Sequence, residues 1–244
     1  MDNSDKIEKL KKMIQNTNNI VCMLGVGMGM ECGLPNRWSN EEAYRVEREY
    51  KYSPEEIYSA VFLSTRTELF YEYYKKECLH LDVRPSEAYT ALIKLEKQGK
   101  LKACITHNIQ SMAVQAGVKN VIELHGSIHD NRCPKCGKRY SAEYMKNAIG
   151  VPLCDVCKSP IRPMVKLQGE MMRNDRMTEA ANVSAQADMI MVLGINLNHP
   201  MVKTFTNYYT GNQLILITKN EHFTDKQADL CIYSEVKDLL PLVV

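Results

Sequence analysis

Six apolar segments, each about the length of a β-strand, recur along the chain between segments with helical periodicity. They are NIVCML (19–24), LKACIT (101–106), NVIEL (120–124), MIMVLG (189–194), QLILIT (213–218) and DLCIY (229–233). Continuous apolar runs are typical of strands buried on both faces, and their alternation with helices favours parallel pairing. We therefore expect an α/β fold with a parallel sheet that carries helices on both faces.

The segments between the strands predict helices from the spacing of their apolar residues. Residues 5–16 form an amphipathic helix, and residues 54–78 form a second helical region opened by Pro54 in its first turn. Ser86 is placed to cap a third helix that Gly99 ends. Shorter helices are expected at 111–117, 175–187 and 200–210, and the tail 236–244 completes the pattern.

The composition argues against several classes of partner. The 31 basic and 29 acidic residues leave a net charge of +2, so we expect no nucleic-acid ligand. No apolar run is long enough to cross a bilayer, and the polar start MDNSDKIEKLKK is unlike a secretion signal. We therefore expect no membrane association and a cytoplasmic location.

Residues 129–162 differ from the rest of the chain because they are polar and punctuated by proline, glycine and cysteine. Two C-x-x-C pairs, Cys133 with Cys136 and Cys154 with Cys157, stand seventeen residues apart. This spacing is typical of a tetrahedral zinc site of four thiolates, which leaves no position open for chemistry. A redox C-x-x-C does not need a second copy. We therefore predict an inserted module with a structural zinc ion.

Four glycines in nine positions follow the first strand, in GVGMGMECG. They miss the G-x-G-x-x-G pattern of dinucleotide-binding helices, which needs a glycine at Met30 or Cys32. A glycine turn between a strand and a helix can place backbone N–H groups around phosphate. It can equally be a tight turn that only needs glycine's conformational freedom. The loop alone favours neither interpretation.

Polar side chains stand where two of the strands end. His107 and Asn108 come just after LKACIT, and His125 follows NVIEL. The carboxyl ends of parallel strands share the sheet edge at which open α/β folds bind ligands. A lone histidine is usually structural, but one at a strand end near a polar asparagine is a better candidate for a general base. His129, beside the cysteine module, and His199, before a helix, are expected to be structural.

The chain resembles the sirtuins, NAD-dependent protein deacylases, along nearly its whole length. The motifs that carry the resemblance are GVGMGMECGLP, THNIQ, AGVKNVIELHG, the paired C-x-x-C knuckles, RPMVKLQGE, ADMIMVLGINLNHP and QLILITKN, of which NVIELHG is the most specific. The resemblance implies a Rossmann-like domain at 1–128 and 163–244, a zinc-binding module at 129–162, and a helical part of the small domain within 36–80. It also implies that NAD binds in the cleft between the two domains.

The reaction that the resemblance implies transfers an acyl group from a lysine, in an extended protein segment, to ADP-ribose with release of nicotinamide. The acyl oxygen would attack the ribose carbon that bears nicotinamide, His125 would act as general base for a ribose hydroxyl, and Asn108 would orient the ribose or a water. Bulk at Gly27 would block the backbone approach that the phosphates need. The implied cofactor contacts are Gly25, Val26, Gly27, Glu31, Asn36, Arg37, Trp38, His107, Asn108, Ile109, Gln110, Gly194, Ile195, Asn196, Thr218, Lys219, Asn220 and Val236.

Several positions depart from the family pattern. His107 stands where glutamine is usual, and Gln110 stands where an aspartate helps to position the nicotinamide end. Val26 replaces alanine in the glycine loop, and Gln168 replaces a phenylalanine of the peptide groove. The further departures are Gly29, Cys32, Asn36, Arg37, Trp38, Ile195, Asn196 and Thr218. Two other functions therefore stay open: NAD hydrolysis or mono-ADP-ribosyl transfer, and NAD or peptide binding without catalysis.

Tyr71 resembles the tyrosine of the Tyr-x-x-Arg pair that marks sirtuins preferring acidic acyl groups, but Tyr74 stands at the arginine position. Tyrosine cannot supply the charge of arginine. We therefore expect this aromatic helix face to pack in the core. The acyl group, the target protein and the oligomeric state are left open by the residues.

Overall fold

A computed structural model describes residues 3–244, and its larger sheet contains six strands. The strands in chain order are β1 (Ile20–Leu24), β2 (Leu101–Thr106), β3 (Val121–Glu123), β4 (Gly126–Arg132), β5 (Arg139–Tyr140), β6 (Arg162–Val165), β7 (Met189–Leu193), β8 (Leu214–Thr218) and β9 (Leu230–Tyr233). The larger sheet has the order β3-β2-β1-β7-β8-β9, and every neighbouring pair in it is parallel. The prediction of a parallel sheet is confirmed.

Helices cover both faces of this sheet, as predicted. The described helices are, in chain order, α1 (Asn3–Gln15), α2 (Val26–Met30), α3 (Asn40–Tyr50), α4 (Pro54–Ile57), α5 (Ala60–Thr65), α6 (Thr67–Tyr73), α7 (Glu87–Lys97), α8 (Met112–Ala116), α9 (Ala142–Asn147), α10 (Asn174–Ala185), α11 (Pro200–Thr206) and α12 (Val236–Val243). A π-helical turn, Tyr74–Cys78, continues α6, and a 3-10 helix, Phe223–Gln227, precedes β9. None of the described helices is long and apolar enough to span a membrane.

The central strands are buried on both faces because successive side chains point to opposite sides of the sheet. In β1, Cys22 and Leu24 pack into the core that α1, α7, α8 and α12 cover. Val21 and Met23 pack into the opposite core, which α10 and α11 cover. This explains why β1 reads as an unbroken apolar run.

A second, antiparallel sheet with the order β5-β4-β6 contains the cysteine segment. It runs from Gly126 to Val165 and so begins and ends outside the segment 129–162. Its apolar side chains share one core with those of α3, α4, α5 and α6. This shared core supports the assignment of the helical part to the small domain, although the domain boundaries themselves stay a prediction.

The helical region that the sequence places at 54–78 differs from the expectation in two ways. It is preceded by α3, which lies in the range 36–80 that the resemblance implies to be helical but which the spacing of apolar residues does not predict, and it is divided into α4, α5 and α6. The division between α5 and α6 lies at Arg66. The division between α4 and α5 lies at Tyr58, whose carbonyl accepts a hydrogen bond from the Gln168 N–H (2.9 Å), while the Ala60 N–H donates to the Gln168 carbonyl (3.0 Å). Backbone pairing with Gln168 therefore takes the chain out of the helix at this point.

Three of these short helices begin at serine caps. The hydroxyls of Ser39, Ser53 and Ser59 accept hydrogen bonds from the third backbone N–H of α3, α4 and α5 at 3.3, 3.2 and 3.1 Å. Pro54 opens α4 as predicted. Ser86 stands before α7 as predicted, but its hydroxyl makes no capping bond. The short helices are thus stabilised locally as well as through their common core.

Candidate functional site

The site lies at the carboxyl end of β1, where the strand order of the larger sheet reverses between β2 and β7. In register, Leu24 is level with Thr106 of β2 and with Leu193 of β7. The loops that leave β1 and β7 are joined by backbone hydrogen bonds from Gly25 N–H to the Leu193 carbonyl and from Gly27 N–H to the Gly194 carbonyl, both 2.9 Å. Open α/β sheets bind ligands in the crevice at such a reversal.

Gly27 is required by the contact between these two loops, whether or not a cofactor is present. A Cβ atom at position 27 would lie 2.6 Å from the carbonyl oxygen of Gly194 and 2.9 Å from its Cα. Both are backbone atoms, so the backbone of the two loops would have to move. Bulk at Gly27 would therefore displace this backbone as well, while its effect on phosphate binding stays a prediction.

We expect Gly27→Ala to destabilise the protein by roughly 1–3 kcal/mol, the usual cost of overpacking. The measurement is urea unfolding of purified protein without ligand. Gly29→Ala is the matched control in the same helix, because its nearest contact is the flexible end of Leu34 at 3.2 Å. Equal stability of the two variants would contradict the interlocking of the loops.

A cavity of about 220 Å³ opens at this edge of the sheet. It brings together eight residues predicted to be catalytic or to contact the cofactor: Val26, Arg37, Trp38, His107, Asn108, Ile109, Gln110 and His125. The other lining residues are Gly29, Leu34, Pro35, Tyr58, His80, Lys166, Gln168 and His199. The glycine loop, THNIQ and the end of β3 thus meet in one place.

The remaining predicted cofactor contacts do not line this cavity. They are Gly25, Gly27, Glu31, Asn36, Gly194, Ile195, Asn196, Thr218, Lys219, Asn220 and Val236. Glu31 and Val236 meet each other: the Glu31 carboxylate accepts the Val236 and Lys237 N–H groups at 2.6 and 2.8 Å, at the start of α12. Lys219 forms an ion pair with Glu235 at 2.9 Å. For these residues, cofactor contact stays a prediction.

Asn108 ties the THNIQ segment to the glycine loop. Its side-chain Nδ2 donates to the Gly25 carbonyl at 2.7 Å, and its backbone N–H donates to the Thr106 hydroxyl at 3.0 Å. Thr106 in turn donates to the Leu24 carbonyl at 3.1 Å. One N–H of Nδ2 is used in this way, so the Oδ1 acceptor and the second N–H of Asn108 are left for a ligand.

Three histidine rings meet in the cavity. His107 stacks on His199 with ring centroids 4.7 Å apart, and its edge approaches His125 with centroids 5.8 Å apart. Burial, together with the positive charge of Lys166, lowers the pKa of His125 to about 4. Burial lowers the pKa of His107 to about 3 and also lowers the pKa of His199. All three imidazoles are therefore neutral at pH 7, as a general base must be.

His199 has the structural role expected of it, because it caps α11, and it also lines the cavity beside His107. Its Nδ1 accepts the Met201 N–H at 3.2 Å, so the neutral ring carries its proton on Nε2. His199 follows β7 by a few residues and therefore lies at the same sheet edge as His107. This position after an apolar strand is the feature of the sequence from which its place in the cavity could have been predicted. His129 is exposed and contacts Gln115, outside the cavity.

The backbone around His125 is held against β6. The His125 carbonyl accepts the Lys166 N–H at 2.8 Å, and Gly126 has a φ of +70°. A Cβ at Gly126 would lie 2.0 Å from the Met164 carbonyl oxygen. Glycine therefore lets β6 approach closely and keeps His125 at the cavity wall.

Buried polar atoms without partners show that the cavity suits a polar ligand. Gln110 donates from Nε2 to the Cys78 carbonyl at 2.7 Å, but its Oε1 has no partner among the described residues. His107 Nδ1 and the Tyr58 hydroxyl are also buried without a partner. An unsatisfied buried polar atom costs free energy, so a ligand that supplies its hydrogen bond is favoured.

The four cysteines of the small sheet converge as predicted. The sulfur atoms of Cys133, Cys136, Cys154 and Cys157 all lie within 4.8 Å of one another, with separations of 3.3 Å for Cys133–Cys157 and 3.6 Å for Cys136–Cys154. Zinc–sulfur bonds of about 2.3 Å in a tetrahedron require sulfur atoms about 3.8 Å apart. The four side chains therefore fit a zinc ion without rearrangement.

The aromatic face of α6 packs in the core, as expected. Tyr71 and Tyr74 are buried with Phe70 in the core that the small sheet shares. Tyr71 donates its hydroxyl to the Ile161 carbonyl. Neither tyrosine lines the cavity. Among the described residues, Arg37 is the only arginine that does.

Comparison with known proteins yields one family. The model of the Sir2 family matches residues 25–199. The chain is similar to an NAD-dependent protein deacetylase of Clostridium acetobutylicum, with 36% identity over 98% of each chain, and to one of Thermotoga maritima, with 30% identity over 92% of each. A solved structure of Sir2Tm bound to a propionylated peptide superposes with a TM-score of 0.80 and 28% identity, covering 98% of this chain and 97% of that one.

Proposed function

Since the chain belongs to the Sir2 family, we propose that it is an NAD-dependent protein deacylase that transfers an acyl group from lysine to ADP-ribose and releases nicotinamide. The observation that carries this proposal is the neutral His125 imidazole, which lines one cavity with Asn108 at the carboxyl edge of the parallel sheet. A family fold alone does not fix chemistry, but a base and an orienting amide in a polar cavity support it.

The proposed role of His125 is to accept a proton from a ribose hydroxyl. Because its pKa is lowered, the ring is in the basic form at physiological pH. Asn108 Oδ1 is the acceptor that would orient the ribose or a water, while one N–H of Nδ2 is held by Gly25. Bound NAD supplies the bond between ribose and nicotinamide that the reaction breaks.

The proposed cofactor site runs from the glycine loop to Gln110. Its backbone wall is the contact between Gly27 and Gly194, and its polar atoms include Gln110 Oε1 and His107 Nδ1. The acyl-lysine segment would enter beside Gln168, whose backbone already pairs with Tyr58. Zinc would hold the small sheet and take no part in the chemistry.

We also propose a cytoplasmic location. The described cysteines form no disulfide, and four of them are placed to bind zinc as thiolates. A reducing compartment such as the cytoplasm keeps the free cysteines from forming disulfides and keeps the zinc ligands as thiolates.

The test is nicotinamide release by purified protein with NAD, measured with and without an acetyl-lysine peptide. We expect release only when the peptide is present. Release without peptide would indicate NAD hydrolysis or ADP-ribosyl transfer. No release with any acyl-lysine peptide would replace the proposal by NAD or peptide binding without catalysis.

The pH dependence of kcat/KM should show the lowered pKa of His125. We expect activity to persist from about pH 7 down to about pH 5, because the base loses its proton-accepting form only near pH 4. The folded pKa lies below the unfolded value of about 6.5, so stability declines as the pH falls below that value. Circular dichroism at each pH separates the two effects. An acid limb near pH 6.5 in folded protein would contradict the burial of His125.

A further inference from the structure

Arg37 is a half-buried cation at the cavity wall without an acidic partner. Its Nη1 lies 2.8 Å from the sulfur of Cys78, and its guanidinium lies 5.0 Å from the ring centre of Tyr58 and 5.7 Å from that of Trp38. It forms no ion pair with any carboxylate of residues 3–244. A guanidinium stays charged at every physiological pH, so this site carries a full positive charge.

The surroundings of Arg37 do not neutralise that charge. Burial raises the pKa of the Cys78 thiol more than Arg37 lowers it, so the sulfur is neutral. None of the described side chains that line the cavity is acidic, and Lys166 adds a second cation to the lining. A charge that is partly withdrawn from water and has no counter-charge is unfavourable, so the cavity favours an anionic group.

Hydrogen-bonding groups beside Arg37 are also unused. The Tyr58 hydroxyl, which lines the cavity, is buried without a partner, and a phenol can donate to an anion. Gln110, buried in the same cavity wall, is neutral and does not repel a negative charge. A planar guanidinium with a phenol donor nearby matches the two oxygens of a carboxylate.

We propose that Arg37 anchors a carboxylate of the ligand that occupies the cavity beside His125. The carboxylate has two chemical sources: an acyl chain that ends in a carboxylate on the substrate lysine, or a pyridine ring that bears a carboxylate in place of the carboxamide of NAD. This inference rests on the proposed function for the identity of the two ligands. Membership of the family does not by itself predict this preference for a ligand that bears a carboxylate.

Binding calorimetry distinguishes the two sources with matched pairs of probes. In the first arm, a succinyl-lysine peptide is compared with the same peptide carrying the neutral terminal amide. In the second, nicotinic acid adenine dinucleotide is compared with NAD. We expect the wild-type protein to bind the carboxylate member of one pair about 10–100-fold more tightly, as a charged hydrogen-bonded pair allows. The arm that shows the preference identifies the source.

Arg37→Gln should remove that preference. Arg66→Gln is the matched control, because Arg66 also lies over two aromatic rings, those of Tyr52 and Phe62, but outside the cavity. The control should keep the preference. Should Arg37→Gln fail to fold, the wild-type comparison still decides the matter.

Three results would overturn the inference: no preference for the carboxylate in either arm, a preference that survives Arg37→Gln, or an equal loss of affinity for both dinucleotides in that variant. The last would mean that Arg37 binds the phosphates. Peptide-dependent release of nicotinamide from NAD and acetyl-lysine peptide is unaffected by these outcomes. Failure of the inference is therefore distinguishable from failure of the proposed function.

Discussion

Replacing His125 by alanine is expected to lower the rate of peptide-dependent nicotinamide release by about 10²–10⁴-fold, the usual contribution of a general base. Affinity for NAD should change little, because the neutral imidazole contributes no charge to binding. The ring is half-buried at the cavity wall and forms no hydrogen bond with any of residues 3–244, so its loss should leave the fold intact. The measurements are initial rates, NAD affinity by calorimetry and the melting temperature of the same sample.

His129→Ala is the matched control for this experiment. His129 lies on β4 close to His125, but its side chain is exposed and does not line the cavity. We expect it to retain wild-type activity. A His125→Ala protein with normal activity per folded molecule and a lowered melting temperature would show that His125 is structural.

Replacing Cys154 by serine is expected to release zinc and to unfold the small sheet. Structural zinc contributes an apparent binding free energy of about 10–16 kcal/mol in small zinc modules, and three thiolates retain only part of it. Cys154 and Cys133 are buried in the core that also contains Phe70 and Tyr58. Loss of the metal should therefore disturb the wall of the cavity and lower the melting temperature.

Metal content by atomic absorption and thermal unfolding are the measurements for Cys154→Ser. Cys231→Ser is the control, because Cys231 is half-buried in β9 and lies outside the four-cysteine cluster. That variant should keep stoichiometric zinc. Stoichiometric zinc and unchanged melting in Cys154→Ser would contradict a structural role of the metal.

The strands were predictable from the sequence because both faces of each central strand are apolar, which leaves a continuous run. Helix α3 was not predictable from the spacing of its apolar residues, because only Val46 and Tyr50 of NEEAYRVEREY are buried. Its available signal was local: Ser39 followed three residues later by Glu42 is the pattern of a capped helix start. The division between α4 and α5 depends on pairing with Gln168, a distant contact that local patterns do not contain.

The candidate site was predictable where its residues follow strands. His125 and Asn108 were found by that rule, and the same rule applied to the segment after β7 would have found His199. The pairing of Glu31 with α12 was not predictable, since the two partners are 205 residues apart. The isolation of Arg37 required the structure as well, because absence of a counter-charge is a property of the whole cavity.

The serine caps of α3, α4 and α5 have a consequence for protein engineering. Each of these helices starts on its own hydroxyl, so the conformation of one does not depend on the cap of the next. The segment 54–65 could therefore be exchanged between relatives while the parallel sheet and its loops are left untouched. Tyr58, the residue of this segment that lines the cavity, would change with it. Substrate selectivity in this scaffold is thus open to redesign by grafting short segments.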